Sequence, residues 1–327
     1  MIVGQDKAVE QFVDAWASRR LHHAWLLAGP KGVGKATFAH AAARRILADS
    51  AGPPSALPGI ETDDGHPIVK LVEAGSHPDM RLLERVENPK TGNLNRNITV
   101  NQVRELGEFL NLTPALSDWR VAVIDSIDDL EPSGANAVLK ILEEPPPNVI
   151  FLLVSHAPGR LLPTIRSRCR RLDFVKLEDA AMTSILAARA PSLTEAERTR
   201  VIAMADGSAA RALGFAELGL AKLEDSALAI LRHGDPTNSR RSDLASELGR
   251  KAAADRYAAF LDLAPSLIAR EARALDGAQR ERALDAYAKA RELAAIAPRL
   301  SLDPAATVFQ LGGILASVQA SVNVPGA

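Results

Sequence analysis

The residues best suited to chemistry are Gly29-Pro30-Lys31-Gly32-Val33-Gly34-Lys35-Ala36-Thr37. From Gly29 to Lys35 the spacing G-x-x-x-x-G-K is complete. Glycines so placed let backbone N–H groups converge on phosphate oxygens, and a helix N-terminus behind them adds its dipole. Lys35 adds a point charge, so the stretch has the parts of a phosphate-binding loop. The next position should carry a hydroxyl for Mg²⁺, and Ala36 stands there. Thr37 follows about 100° further round the helix and should point away from the metal. The loop reads as built to hold nucleotide, with the part that organises hydrolysis missing.

Two more groups bear on the same chemistry. Asp125 closes the apolar run Arg120-Val121-Ala122-Val123-Ile124-Asp125, about 90 residues after the loop lysine. There it reads as the acid that reaches Mg²⁺ through water; a surface Asp capping the next helix is the plainer account. A water-polarising Glu is expected next, and the residue is Ser126, whose hydroxyl is no comparable base near neutral pH. Asp128 or Asp129 would have to substitute, and both should lie beyond the strand end. The densest basic patch is Thr164-Ile165-Arg166-Ser167-Arg168-Cys169-Arg170-Arg171. If the patch is extended, Arg166, Arg168 and Arg170 share one face; standing alone, it reads as a solvated basic edge.

The elements that must position these groups follow from periodicity. Val9, Phe12, Val13 and Trp16 give a first helix one apolar face. Ala24–Ala28 is a strand before the loop, and Ala36–Ala48 an alanine-rich helix after it. Residues 50–68 hold prolines, glycines and acids and read as a mobile surface excursion. Gly75–Asp79 marks a turn, Met80–Leu83 opens a short strand, 87–97 is polar, and Gln102–Leu110 is a helix. After Arg120–Asp125 come a helix at Gly134–Glu143, a stop at Pro145–Pro147 and the wholly apolar strand Val149–Ser155. Strands alternating with helices across 20–175 predict a doubly wound α/β domain. Beyond Phe174 only helices are expected. A capping box at Thr194–Glu197 opens one, Gly207-Ser208 turns into another, and breaks are expected near Gly234-Asp235-Pro236 and at Pro265. The tail Val322–Ala327 reads as frayed.

Composition narrows the function classes. Of 327 residues, 47% are hydrophobic and 24% charged, which allows sizeable cores in two or three domains. A net charge of −1 and 4% aromatics argue against autonomous binding of nucleic acid. The single cysteine, Cys169, rules out an internal disulfide and fits a reducing compartment. The seven histidines lack zinc-ligand spacing with it. No secretory leader or membrane span is read, so a soluble cytoplasmic protein is expected.

Gly29–Lys35, Val121–Asp125, the run Asn136-Ala137-Val138-Leu139-Lys140-Ile141-Leu142-Glu143-Glu144-Pro145-Pro146 and Ser167-Arg168-Cys169 occur in the order found in bacterial clamp-loader AAA+ subunits. The chain resembles that family over about residues 1–215. Gly75–Asp79 and Ile98–Asp125 are similar to the delta-prime branch of DNA polymerase III loaders rather than the tau/gamma motor branch. The resemblance implies an AAA+ P-loop domain over 1–175, a helical lid over 176–217 and an all-α collar over 218–327 that oligomerises in a five-subunit ring. It implies tau/gamma and delta subunits as partners, with primed DNA and the sliding clamp met through the complex. It makes Arg168 an arginine finger acting in trans on a neighbour's ATP, and Ser155 the sensor-1 residue. Ala36, Ser126 and the alanine before Arg211 depart from the motor pattern, and residues 49–68 lack the cysteines of the family's zinc module. These departures imply a subunit that does not hydrolyse ATP itself, with no zinc. Lys35 leaves ATP or ADP with Mg²⁺ open as a ligand, bound weakly or not at all. The rival reading is a self-hydrolysing AAA+ motor or remodeller in which Thr37 and Asp128 compensate; a nucleotide kinase is a third.

Overall fold

The computed structural model describes residues 2–18, 21–88, 92 and 94–319. The chain divides into two units, one of Met1–Arg189 with Ala205–Arg211 and one of Ala190–Met204 with Ala212–Ala327. The first unit runs α1 (Asp6–Ala17), β1 (Ala24–Ala28), α2 (Lys35–Ala51), α3 (Pro67–Glu73), β2 (Met80–Glu84), α4 (Val100–Leu110), β3 (Arg120–Asp125), α5 (Pro132–Glu143), β4 (Val149–Ser155), α6 (Pro163–Arg166), β5 (Arg170–Asp173) and α7 (Asp179–Arg189).

Its five strands form one parallel sheet in the order β2-β3-β4-β1-β5. The continuous apolar runs of β1, β3 and β4 are what a sheet covered on both faces requires. Alternate side chains serve opposite cores. Trp25, Leu27, Val123 and Leu152 pack with Phe12, Phe38 and Ile46 of α1 and α2. Leu26, Ala122, Ile124 and Phe151 pack with Val103, Leu106, Val138 and Leu142 of α4 and α5. This is the α/β domain that the alternation of strands and helices predicts. The register Ala28↔Ser155 and Asp125↔Val154 brings the ends of β1, β3 and β4 to one edge, where open α/β sheets bind ligands.

Two features of this unit differ from expectation. Residues 50–68 are not a loose excursion, because one arginine of α2 ties them down. Arg45 donates Nε to Asp49 Oδ2 at 2.8 Å, Nη1 to the carbonyls of Leu57 and Glu61 at 2.8 Å each, and Nη2 to that of Ser55 at 3.0 Å. Asp49 also accepts from Trp16 Nε1 at 3.0 Å and from the Ser55 amide at 2.9 Å, while Ile60 is buried. Arg166, Arg168 and Arg170 do not share a strand face either. Arg166 ends α6, Arg168 lies in the turn that follows, and only Arg170 is in β5. Pro163 at the first helical position favours that turn of helix over an extended start.

The second unit holds α10 (Leu220–His233), α11 (Ser239–Leu248), α12 (Ala254–Ala272), α13 (Gly277–Arg299) and α14 (Pro304–Ser317), with most of α8 (Glu195–Ala205) and of α9 (Ala209–Glu217). Leu223, Ile230, Phe260, Leu267, Val308 and Leu311 form its core. The Thr194–Glu197 capping box is present: Glu197 Oε2 accepts from the Thr194 amide at 2.9 Å, and Thr194 Oγ1 from the Glu197 amide at 3.3 Å. The break at Gly234 occurs, but Pro265 lies inside α12 without ending it. Pro265 is buried on the apolar face of α12, so packing against the core carries the helix through one missing backbone bond. The Val322–Ala327 tail lies outside the described residues. Among the described residues no helix is long and apolar enough to cross a membrane.

Candidate functional site

The loop from Gly29 to Gly34 leaves the end of β1 and leads directly into α2. It is held closely on both sides. A Cβ on Gly29 would run into the carbonyl oxygen of Phe174. Gly32, at φ +80°, packs so tightly on Ser208 and Ala210 that a Cβ would meet the Ser208 hydroxyl. The Ala210 amide, in the first turn of α9, donates to the Gly32 carbonyl at 3.1 Å. Among the described residues, none of the amides of Lys31, Gly32, Val33 and Gly34 donates to a backbone carbonyl. Unpaired donors placed just before a helix N-terminus suit a phosphate.

Lys35 is 3% exposed, and its Nζ donates to the Gly29 carbonyl at 2.7 Å and to that of Pro30. Burial pushes its pKa down from 10.5 to about 8, against the opposing pull of Asp128 and Asp125. A buried ammonium held against that cost is a candidate functional group. The sign of the linkage follows directly. Between pH 8 and 10.5 the unfolded chain holds a proton on Lys35 that the folded chain does not, so stability rises with pH across this window. We expect this rise in wild type and a flatter profile in Lys35→Met, read by denaturant unfolding followed through tryptophan fluorescence. Equal slopes in both would contradict the assignment. All three tryptophans, Trp16, Trp25 and Trp119, lie in the first unit and report its unfolding alone.

The groups on the hydrolysis side are arranged otherwise. Asp125 is half-buried at the end of β3. Asp128 accepts from Ser126 Oγ at 3.1 Å, Ser155 Oγ at 3.0 Å, the His156 amide at 2.6 Å and the Ala157 amide at 3.2 Å. With four donors it ties the exits of β3 and β4 together and is not left to orient a water. Thr37 is exposed and Ala36 offers no oxygen. Ser155, fully buried, spends its hydroxyl on Asp128. The residues present therefore fit a nucleotide's phosphates but not the Mg²⁺ hydroxyl or a catalytic carboxylate. His156, not singled out by the sequence, lies here too. Its Nδ1 is buried without a partner, and burial followed by the Lys35 charge lowers its pKa below the ordinary imidazole value. Its only sequence signal is its place directly after the apolar strand.

Arg168 is elsewhere. It precedes β5, whose Arg170 pairs in register with Trp25 at the start of β1, whereas the phosphate loop follows the end of β1. Because β1 and β5 are parallel neighbours, Arg168 and the loop lie at opposite ends of the strands, about 15 Å apart along them. Its guanidinium, a third exposed, donates Nη1 to the Thr164 carbonyl at 2.9 Å and pairs Nη2 with Glu143 Oε1 at 2.7 Å. Neighbouring arginines are otherwise engaged: Arg170 lies over the Trp25 ring at 4.9 Å and Arg171 pairs with Asp173 at 2.6 Å. Burial pushes the Cys169 thiol up to about 12, so it is inert as a nucleophile.

Comparison with known proteins bears on the first unit most directly. The family model described as DNA polymerase III, delta subunit matches residues 4–178, more than half of the chain. The delta' subunit of DNA polymerase III from Pseudomonas aeruginosa is 34% identical over 186 residues, covering 57% of this chain and 53% of its own length. The tau subunit from Bacillus subtilis is 27% identical over 237 residues, covering 69% of this chain and 39% of its own. The chain thus spans about half or less of the length of these relatives. Among solved structures, a DNA polymerase III gamma subunit-related protein from Thermotoga maritima covers 96% of this chain and all of its own at 17% identity, with a TM-score of 0.45.

Proposed function

The chain belongs to the DNA polymerase III, delta subunit family of clamp-loader proteins, and on that premise we propose that it is a loader subunit that hydrolyses no ATP itself but serves a neighbour's ATP site through Arg168. The observation that carries this reading is the sheet polarity. Arg168 is at the end of the strands opposite its own phosphate loop, beyond reach of a nucleotide held there, yet a third exposed, so that a second chain could reach it. A guanidinium is the group suited to charge spread over γ-phosphoryl oxygens.

Within this proposal the free loop amides and Lys35 retain phosphate affinity, so ATP or ADP binds weakly without turnover. The occupied carboxylate of Asp128, the exposed Thr37 and the methyl of Ala36 speak against the self-hydrolysing reading. Residues 176–217 act as the lid and 218–327 as the collar of a five-subunit ring with tau/gamma and delta subunits, and the ring loads the sliding clamp onto primed DNA. Phosphate release by the purified chain with ATP and Mg²⁺ tests the reading. The expected result is no turnover above a Lys35→Ala control; turnover that disappears in that control would overturn it.

A further inference from the structure

We propose that Glu143 is a positioning residue for Arg168, aiming the guanidinium at the ATP of the neighbouring subunit; this rests on the reading of Arg168 given above. Glu143 is the last residue of α5 and Glu144 follows it at the cap. Carboxylates at a helix C-terminus face the negative end of the dipole, so local helix stability does not account for them. What compensates Glu143 is Arg168 Nη2 at 2.7 Å, brought there from a different element. The second terminal nitrogen, Nη1, is fixed at 2.9 Å by the Thr164 carbonyl. Thr164 lies in α6, and the backbone of the turn after α6 is itself closed by the Ser167 amide on the Pro163 carbonyl at 2.9 Å and the Arg168 amide on that of Ile165 at 3.2 Å.

Two anchors on two nitrogens define the plane of the fork, which one anchor would leave free to swing. The pair is partly exposed on both sides, 33% for Arg168 and 40% for Glu143, so its contribution to stability is small. Its value is in orientation. A γ-phosphoryl group needs the guanidinium within a fraction of an ångström, and misplacement by about 1 Å costs up to about a hundredfold in rate.

The test uses the assembled loader with its neighbouring ATPase subunits and DNA, and reads kcat and KM for ATP. Four variants of this chain are compared with wild type: Arg168→Ala, Glu143→Gln, Glu143→Asp and the Glu143→Gln/Arg168→Ala double. Glu143→Gln is expected to lower kcat at the adjoining site about tenfold with KM unchanged. Glu143→Asp, which keeps the charge, recovers part of the loss, and the double variant is no slower than Arg168→Ala. A silent Glu143→Gln beside an impaired Arg168→Ala would remove the positioning role and leave the finger. A faster Glu143→Gln would make the pair a restraint rather than an aim, and additive losses in the double would mean that Glu143 acts apart from Arg168. A silent Arg168→Ala would bring down both readings.

Discussion

If Arg168 serves a neighbouring ATP site as proposed, replacing it with Ala is expected to lower hydrolysis at that site of the assembled loader by about 10³-fold while the assembly stays intact. The size follows from what a guanidinium does in phosphoryl transfer: it meets charge on the equatorial oxygens in a site from which water is excluded. The assembly is expected to survive because Arg168 is partly exposed, is held by Glu143, Thr164 and Ser167 among the described residues, and contributes little to folding. Arg168→Lys recovers little, since an ammonium lacks the planar fork. Single-turnover hydrolysis in the assembled complex reads the effect, and gel filtration reads the assembly. A ring that falls apart in Arg168→Ala would make the arginine an interface residue instead.

Asp79→Ala is expected to destabilise the first unit by about 3–5 kcal/mol, the largest stability effect we expect of a single side chain here. The carboxylate is fully buried and accepts the amides of Ala115 at 2.7 Å, Leu116 at 2.7 Å and Ser117 at 3.0 Å. Burial alone would push its pKa up, but those three amides hold it below the usual carboxylate range. Buried Arg120 stands at 3.9 Å and donates to the carbonyls of Phe109 and Thr113, so one node fixes the whole segment between α4 and β3. Removing the carboxylate leaves three amides without their acceptor and a buried guanidinium without its counter-charge. Asp79→Asn, which keeps one acceptor oxygen, should fall between. Urea unfolding followed by tryptophan fluorescence measures both; an unchanged midpoint in Asp79→Ala would refute the node.

Asp79 also shows what the sequence made legible and what it did not. Gly75-Ser76-His77-Pro78-Asp79 reads as a turn from its residue types, but nothing local says that its last carboxylate reaches residues 115–117. The strands were legible because burial on both faces leaves continuous apolar runs, and the phosphate loop because its backbone needs glycine at fixed spacing. Groups working across elements left no such trace. Arg45 looks like any helical arginine until Ser55, Leu57 and Glu61 turn their carbonyls toward it. Asp128 reads as a spare acid until four donors are counted on it. Pro265 reads as a breaker because punctuation rules know nothing of the core around it. Arg168 was found in a basic run whose assumed geometry was wrong. Its proposed role came from the family resemblance, and the direction of the sheet, which sets it away from Lys35, agrees with that role.

The most direct measurement compares two variants of this chain in the same assembled loader: Lys35→Ala and Arg168→Ala, by DNA-stimulated ATP hydrolysis. A subunit that serves its neighbour and not itself predicts hydrolysis near wild type in Lys35→Ala and a marked loss in Arg168→Ala. The reverse pattern, loss with Lys35→Ala and none with Arg168→Ala, would make this chain a motor using its own phosphate loop.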